Sequence, residues 1–231
     1  MNKTTNGTRD QRRYALGYSA NELRRLERQG AFFRDLTEDL LKRAGVRDGM
    51  RVLDLGCGVG DTSLLAARLI GPSGVVVGVD RSTKAIDVAQ RRATTARPRN
   101  SIQFVVADLD TFVPDEPFDA VIGRLVLLYL RDPAATLRRL SAYVRPGGVV
   151  AFQEMAMPLA RSNPDGAHFR ARIGSWPRSL GLGSSQTWAK AVRDVLGRRS
   201  AIPQMILTGC VEGGPDSLVY DYYADIARSS D

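Results

Sequence analysis

Histidine and cysteine are almost missing from this chain of 231 residues: there is one histidine, His168, and there are two cysteines, Cys57 and Cys210. Neither cysteine stands in a Cys-x-x-Cys pair, so neither a disulfide framework nor a zinc site is legible, and a reducing compartment is the default. The N-terminus lacks an apolar h-region. It reads MNKTTNGTRDQRR, which shows no signal peptide. Long hydrophobic runs are lacking too. The most apolar stretch, Val121 to Leu130, carries Arg124 and is too short to cross a bilayer. These absences lead us to expect a soluble, cytoplasmic protein with no membrane span and no metal site. Acids are in the minority, with 25 Asp and Glu against 33 Lys and Arg and a net charge of +8. Such a balance admits a nucleic-acid partner. The arginines, however, come as scattered pairs (Arg12–Arg13, Arg24–Arg25, Arg91–Arg92, Arg138–Arg139, Arg198–Arg199) with acids among most of them. No nucleic-acid module accompanies them, so solvated helix faces are their expected use and nucleic acid is disfavoured.

What is present is a chain 43% hydrophobic, enough for one sizeable α/β domain with an appendage. It is organised around RVLDLGCGVGDTS, residues 51–63. Val52, Leu53 and Leu55, broken only by Asp54, read as a buried parallel strand. Gly56, Gly58 and Gly60 follow at once, and then Leu64 to Ile70 is apolar at helical spacing. Strand, glycine turn and helix in that order let a backbone approach a ligand with no Cβ in the way, and present unpaired N–H groups and a positive dipole end. A dinucleotide turn would read G-x-G-x-x-G; this one reads G-x-G-x-G, with an acid inside the strand before it.

Around that turn the pattern alternates. Residues 1–13 read as a disordered tail. Residues 14–45 read as a helical cover: Ser19 and Glu22 form a capping box, and Leu23, Leu26, Phe33, Leu36, Leu40 and Leu41 mark a stripe interrupted near Gly30. The core spans residues 46–155. Its second strand, Val75–Val79, ends at Asp80, 20 residues after Gly60, about the spacing at which a strand-end acid meets a ribose. A helix N-cap is the competing role for Asp80. The third strand, Ile102–Val106, leads into Ala107-Asp108-Leu109. The fourth, Phe118–Ile122, leads into Gly123-Arg124-Leu125, with Arg124 either at the ligand end of the sheet or as a solvated surface arginine. An Arg-Pro-Gly-Gly turn, residues 145–148, precedes a fifth strand, Val149–Glu154. Beyond it, residues 156–200 lose the alternation, and residues 156–231 read as a substrate cover plus the C-terminal part of the sheet, with a helix at Trp188–Leu196 and a sixth strand at Gln204–Val211.

From Arg51 to Glu154 this ordered set resembles the class I S-adenosylmethionine-dependent methyltransferases, most closely the small-molecule branch that includes the ubiquinone and menaquinone biosynthesis C-methyltransferases. The resemblance implies a three-layer, doubly wound, mostly parallel α/β Rossmann-like sheet. It also implies S-adenosyl-L-methionine as cofactor and in-line transfer of its methyl group to an O, N or C nucleophile of a small molecule. It assigns Asp54, Gly56, Cys57, Gly58, Gly60, Asp80, Arg81, Asp108 and Leu109 to the cofactor: Asp54 helping to order the acceptor side of the methionine end, Asp80 at the ribose, Asp108 and Leu109 at the adenine. Arg124, Tyr14 and Gln29 join them near the methionine end. His168, Tyr129 and Glu154 are the candidates for a general base, if one is used. The family usually ends on a seventh, antiparallel strand between the fifth and the sixth. No such strand is legible, so the expectation is a truncated sheet with an open edge and self-association through it. A nucleic-acid methyltransferase, a nicotinamide-dependent oxidoreductase and a non-catalytic cofactor-binding protein are the alternative readings.

Overall fold

A computed structural model describes residues 19–154. Within them five strands form one sheet: β1 Arg51–Leu55, β2 Val75–Asp80, β3 Ser101–Val106, β4 Phe118–Arg124 and β5 Val144–Gln153. Their order is β3-β2-β1-β4-β5, and every pair is parallel. The helices are α1 Ala20–Phe32, α2 Arg34–Arg43, α3 Asp61–Leu69, α4 Thr83–Ala96 and α5 Pro133–Ser141. After β3 the chain crosses to the far side of β1 and lays down β4. That reversal opens a crevice above the carboxyl ends of β1 and β4, where open α/β sheets take their ligands.

Two apolar layers sandwich the sheet. Leu41, Leu65 and Ala66 of α2 and α3, with Ile70 just after α3, pack on Val52, Val76, Ala120, Ile122 and Ala151. Leu137 and Leu140 of α5 pack on Leu53, Leu55, Val77, Val79 and Val121 on the other face. Strand side chains alternate between faces, so Asp54 falls on the same face as Val52, under α3. A five-residue strand that is apolar on both faces therefore carries one carboxylate to the floor of the crevice.

The first five strands foreseen from sequence are found with small changes of boundary, and β4 runs on to Arg124. The Arg-Pro-Gly-Gly segment differs from expectation. It does not precede the fifth strand but lies within it: Phe118 pairs with Val144 and Ala120 with Val149, so residues 145–148 bulge out opposite Asp119. The Asp119 carboxylate fastens both sides, accepting from Arg51 N at 2.8 Å and from Arg145 Nη1 at 2.7 Å.

The N-terminal helices also differ. The break falls at Phe33, not Gly30. Their most buried positions are Glu22, Arg25, Gln29, Phe33, Thr37 and Leu41, at regular helical spacing, whereas Leu23, Leu26 and Leu40 are only half-buried and Leu36 is exposed. Glu22 and Arg25 form a fully buried two-pronged ion pair at 2.7 and 2.8 Å. The apolar stripe gave way because this helix lies over α3 and the polar crevice rather than over an apolar layer. Ser19 caps α1 as foreseen, accepting from Glu22 N at 3.1 Å. The tail, the sixth strand at 204–211, the helix at 188–196 and the substrate cover lie outside the described residues. So does the stretch on which the missing seventh strand was argued.

Candidate functional site

Asp54 is 1% exposed at the end of β1. Its Oδ2 accepts from the Ser63 hydroxyl, in the first turn of α3, at 2.6 Å. Its Oδ1 is buried with no partner. Burial pushes the carboxyl up to about 7, against the Ser63 hydrogen bond and the charge of Arg124, while Asp80 and Asp61 push it further up. A buried acceptor without a donor is costly, and this one lies directly before the glycine turn.

The turn has the backbone that its sequence requires. Gly56, Gly58 and Gly60 take φ of 61°, 53° and 84°, a region closed to most L-residues. A Cβ on Gly58 would meet nothing within 4 Å, so this position faces open space. A Cβ on Gly60 would lie 3.0 Å from Ala89 Cβ, and one on Gly56 2.4 Å from Val126 Cγ2, so these two are pressed by α4 and by the chain after β4. Cys57 N is bonded to Val79 O at 3.0 Å. Burial, then the charges of Asp54 and Asp80, push the Cys57 thiol well up, which leaves it an unreactive wall residue.

Asp80 is tied into the same turn: Oδ2 accepts from Gly58 N at 3.0 Å and Oδ1 from Ser82 N at 2.8 Å. Burial raises its carboxyl and those backbone bonds oppose the rise. The cap of α4 is not Asp80 but Ser82, which accepts from Ala85 N at 3.2 Å. Asp80 is thereby left to hold the glycine turn and to offer its remaining lone pairs to the crevice. Arg81 beside it is exposed.

At the end of β3, Asp108 is exposed and Leu109 is 8% exposed. Asp108 Oδ1 accepts from Asp110 N at 2.9 Å. The guanidinium of Arg139, from α5, donates to the carbonyls of both Leu109 and Phe112. Thr136 Oγ1 adds a bond to Asp110 Oδ1 at 3.1 Å. An arginine read from sequence as a solvated helix face is thus a brace for the loop after β3.

Arg124 is not a solvated surface arginine: its side chain is 9% exposed, with Nη2 3.9 Å from Asp61 Oδ2 and Nη1 3.4 Å from Thr37 Oγ1. Asp61 is the first residue of α3 and also takes Arg92 Nη2 at 2.7 Å, while Arg92 Nη1 donates to Val59 O at 2.6 Å. α1 leans on the same carboxylate. A Cβ on Gly30 would lie 2.1 Å from Asp61 Cγ, so only glycine permits that approach. Gln29, the neighbour of Gly30, is buried there.

Of the base candidates, Tyr129 sits half-buried in a 3-10 turn, Leu127–Tyr129. Glu154 follows β5 and accepts from Val126 N and Leu127 N through Oε1, each at 2.9 Å. Its Oε2 is buried and unpartnered, and burial pushes this carboxyl up to about 7 against the two backbone bonds. His168 and Tyr14 lie outside the described residues. Among the described residues no cluster of His, Cys, Asp and Glu could hold a metal ion, and no helix is long and apolar enough to cross a membrane.

The structure therefore brings Asp54, the three glycines, Cys57, Asp80 and Arg124 together above β1, β2 and β4, with Asp108 and Leu109 at the neighbouring strand end. Sequence reasoning missed Ser63, Asp61, Arg92, Gly30 and Arg139. Two of these left a signal: an acid opening a helix after a glycine turn, and a lone glycine inside a helix, which usually has a packing reason.

A family model described as a methyltransferase domain matches residues 46–194. A trans-aconitate 2-methyltransferase of Azoarcus sp. is 37% identical over 62% of this chain and 52% of its own length. A 2-phytyl-1,4-naphtoquinone methyltransferase of Synechococcus elongatus is 36% identical over 52% of each. The chain spans about half the length of these curated relatives. Among solved structures, a SAM-dependent methyltransferase from Aquifex aeolicus is similar at a TM-score of 0.55 and 19% identity, over 69% of this chain and 78% of that one. The [4+2]-cyclase SpnF is similar at 0.55 and 23%, over 70% and 56%. At that identity the likeness is one of fold.

Proposed function

The chain belongs to the methyltransferase-domain family, and from that premise we propose that it binds S-adenosylmethionine above β1, β2 and β3 and transfers the methyl group in line to an O, N or C nucleophile of a small molecule. The observation that carries this reading is the unpartnered, buried Oδ1 of Asp54 before a glycine turn whose middle member faces open space. The donor set fits the cofactor. Its methionine end is a zwitterion: the ammonium needs acceptors, which Asp54 helps to supply, and the carboxylate needs donors, which the Arg124 guanidinium helps to supply. Asp80 carries lone pairs for the ribose hydroxyls, and Asp108 with Leu109 suits the adenine.

S-adenosylmethionine brings an activated methyl group, so the protein's part is to hold donor and acceptor in line and keep water away. The Asp80–Gly58 tie, the Arg92–Val59 tie and the Arg139 brace keep the three strand-end loops in place before any ligand arrives. Where the acceptor offers an O–H or N–H, Glu154, with its buried and unpartnered Oε2, is the base candidate beside the end of β5.

A nicotinamide dinucleotide suits this crevice less well. Its pyrophosphate would need the N-terminus of α3, and there the Asp61 carboxylate already occupies the positive end, paired with Arg92 at 2.7 Å. Relatives named for trans-aconitate and naphtoquinone support a small acceptor rather than a nucleic acid. Labelled-methyl transfer from S-adenosylmethionine into fractionated cell extract tests the reading. We expect label in the small-molecule fraction. Label in nucleic acid, or none with binding intact, would overturn the acceptor class or the catalysis.

A further inference from the structure

The chain leaves β4 through an unfavourable conformation. Leu125 takes φ of +53°, a left-handed value that a non-glycine residue keeps only when its surroundings impose it. Two contacts impose it here. Leu125 N donates to Gln153 O at 2.8 Å, and Oε1 of Glu154 accepts from both Val126 N and Leu127 N at 2.9 Å. The end of β5 and the residue after it thus grip the turn twice, once by backbone and once by side chain.

Val126 carries the consequence. Its Cγ2 fills the space 2.4 Å from where a Cβ on Gly56 would stand, and its Cγ1 stands 2.9 Å from the corresponding point on Gly123. The side chain is a wedge between the end of β4 and the first glycine of the turn. Leu127, fully buried, anchors the turn from below. We propose that Glu154 is a positioning residue for the cofactor turn: its carboxylate fixes the backbone of Val126 and Leu127, and Val126 then sets where Gly56 lies. This rests on the cofactor reading above.

The test is calorimetric titration of the full-length chain with S-adenosylhomocysteine, beside native-state hydrogen exchange at Val126, Leu127 and Cys57. E154A, which loses the carboxylate that holds two amides, and V126A, which loses the wedge itself, should each weaken binding about tenfold. Because both act through one wedge, the double variant should be little weaker than the worse single one. E154Q keeps an oxygen that both amides can reach, and should stay within about threefold of wild type with amide protection retained. E154A should lose that protection. Additive losses, or E154A with unchanged affinity and unchanged protection, overturn the proposal. If E154A does not fold, E154Q and V126A decide: weak binding by E154Q or full binding by V126A overturns it. A wild-type chain that binds no S-adenosylhomocysteine overturns the cofactor reading instead, and exchange at the three amides then decides the clamp alone.

Discussion

Asp54 and Glu154 give the protein an acid response opposite to that of a salt-bridged carboxylate. Burial raises both to about 7 in the fold, against roughly 4 in an unfolded chain. Between those values the folded state binds more protons than the unfolded one, so stability falls as pH rises from about 4 to about 7. Asp119, held low by the Arg51 N–H and the Arg145 guanidinium despite some desolvation, works the other way. Its contribution is lost only as pH falls below the ordinary carboxylate range. The cofactor-free protein should therefore melt higher at pH 5.5 than at pH 8, by up to a few kcal/mol, and Asp54→Asn should flatten that slope. Thermal melts across this range check it, and a wild-type melting point that is flat or rises toward pH 8 would contradict it. Asp54 and Asp80 were legible in the sequence because an acid inside an apolar strand, and an acid ending one, have few bland uses. Ser63 and Arg92 were not, because their partners are fixed by how α3 and α4 pack rather than by spacing along the chain.

At the scale of elements, strands were legible and the orientation of helices was not. β1, β2 and β4 are apolar on both faces or nearly so, and each ends at a turn, which locates them without tertiary knowledge. α1 shows why helices are harder. Its leucines mark one stripe, yet the buried stripe is Glu22, Arg25 and Gln29, because the surface it covers is itself charged. Gly30 is the contact that seats it. Alanine there would favour the isolated helix by about 1 kcal/mol, but its Cβ would run into the Asp61 carboxylate, which Arg92 holds at 2.7 Å. We expect Gly30→Ala to speed hydrogen exchange across α1, and the added change Asp61→Ala to restore protection. Equal or slower exchange in Gly30→Ala would show that α1 is not seated through this contact. The bulge of residues 145–148 was unreadable for a related reason: an Arg-Pro-Gly-Gly run stops a helix and starts a turn in any context, and only Asp119 across the ladder keeps it inside β5.

Across the described residues the molecule is a parallel sheet whose reversal at β1 and β4 places a glycine turn, two buried carboxylates and a buried arginine at its carboxyl end. Alternating strand and helix made the fold class legible, and successive strand ends each present an acid. An acceptor for the proposed reaction was not legible, because in that reading the sheet holds the donor and leaves the choice of acceptor to residues outside its pattern. The open edge and self-association expected from the count of strands rest on residues 204–231, outside those described. The central claim is that this crevice takes an adenosyl sulfonium cofactor and not a dinucleotide. Calorimetry of the full chain with S-adenosylhomocysteine, and separately with NAD and NADP, tests it most directly, with Asp80→Ala as the internal control. We predict one site for S-adenosylhomocysteine, affinity lowered about tenfold or more in Asp80→Ala through lost bonds to a charged group, and no heat with either dinucleotide. Heat with NAD or NADP and none with S-adenosylhomocysteine, or an Asp80→Ala chain that binds as the wild type does, would contradict it.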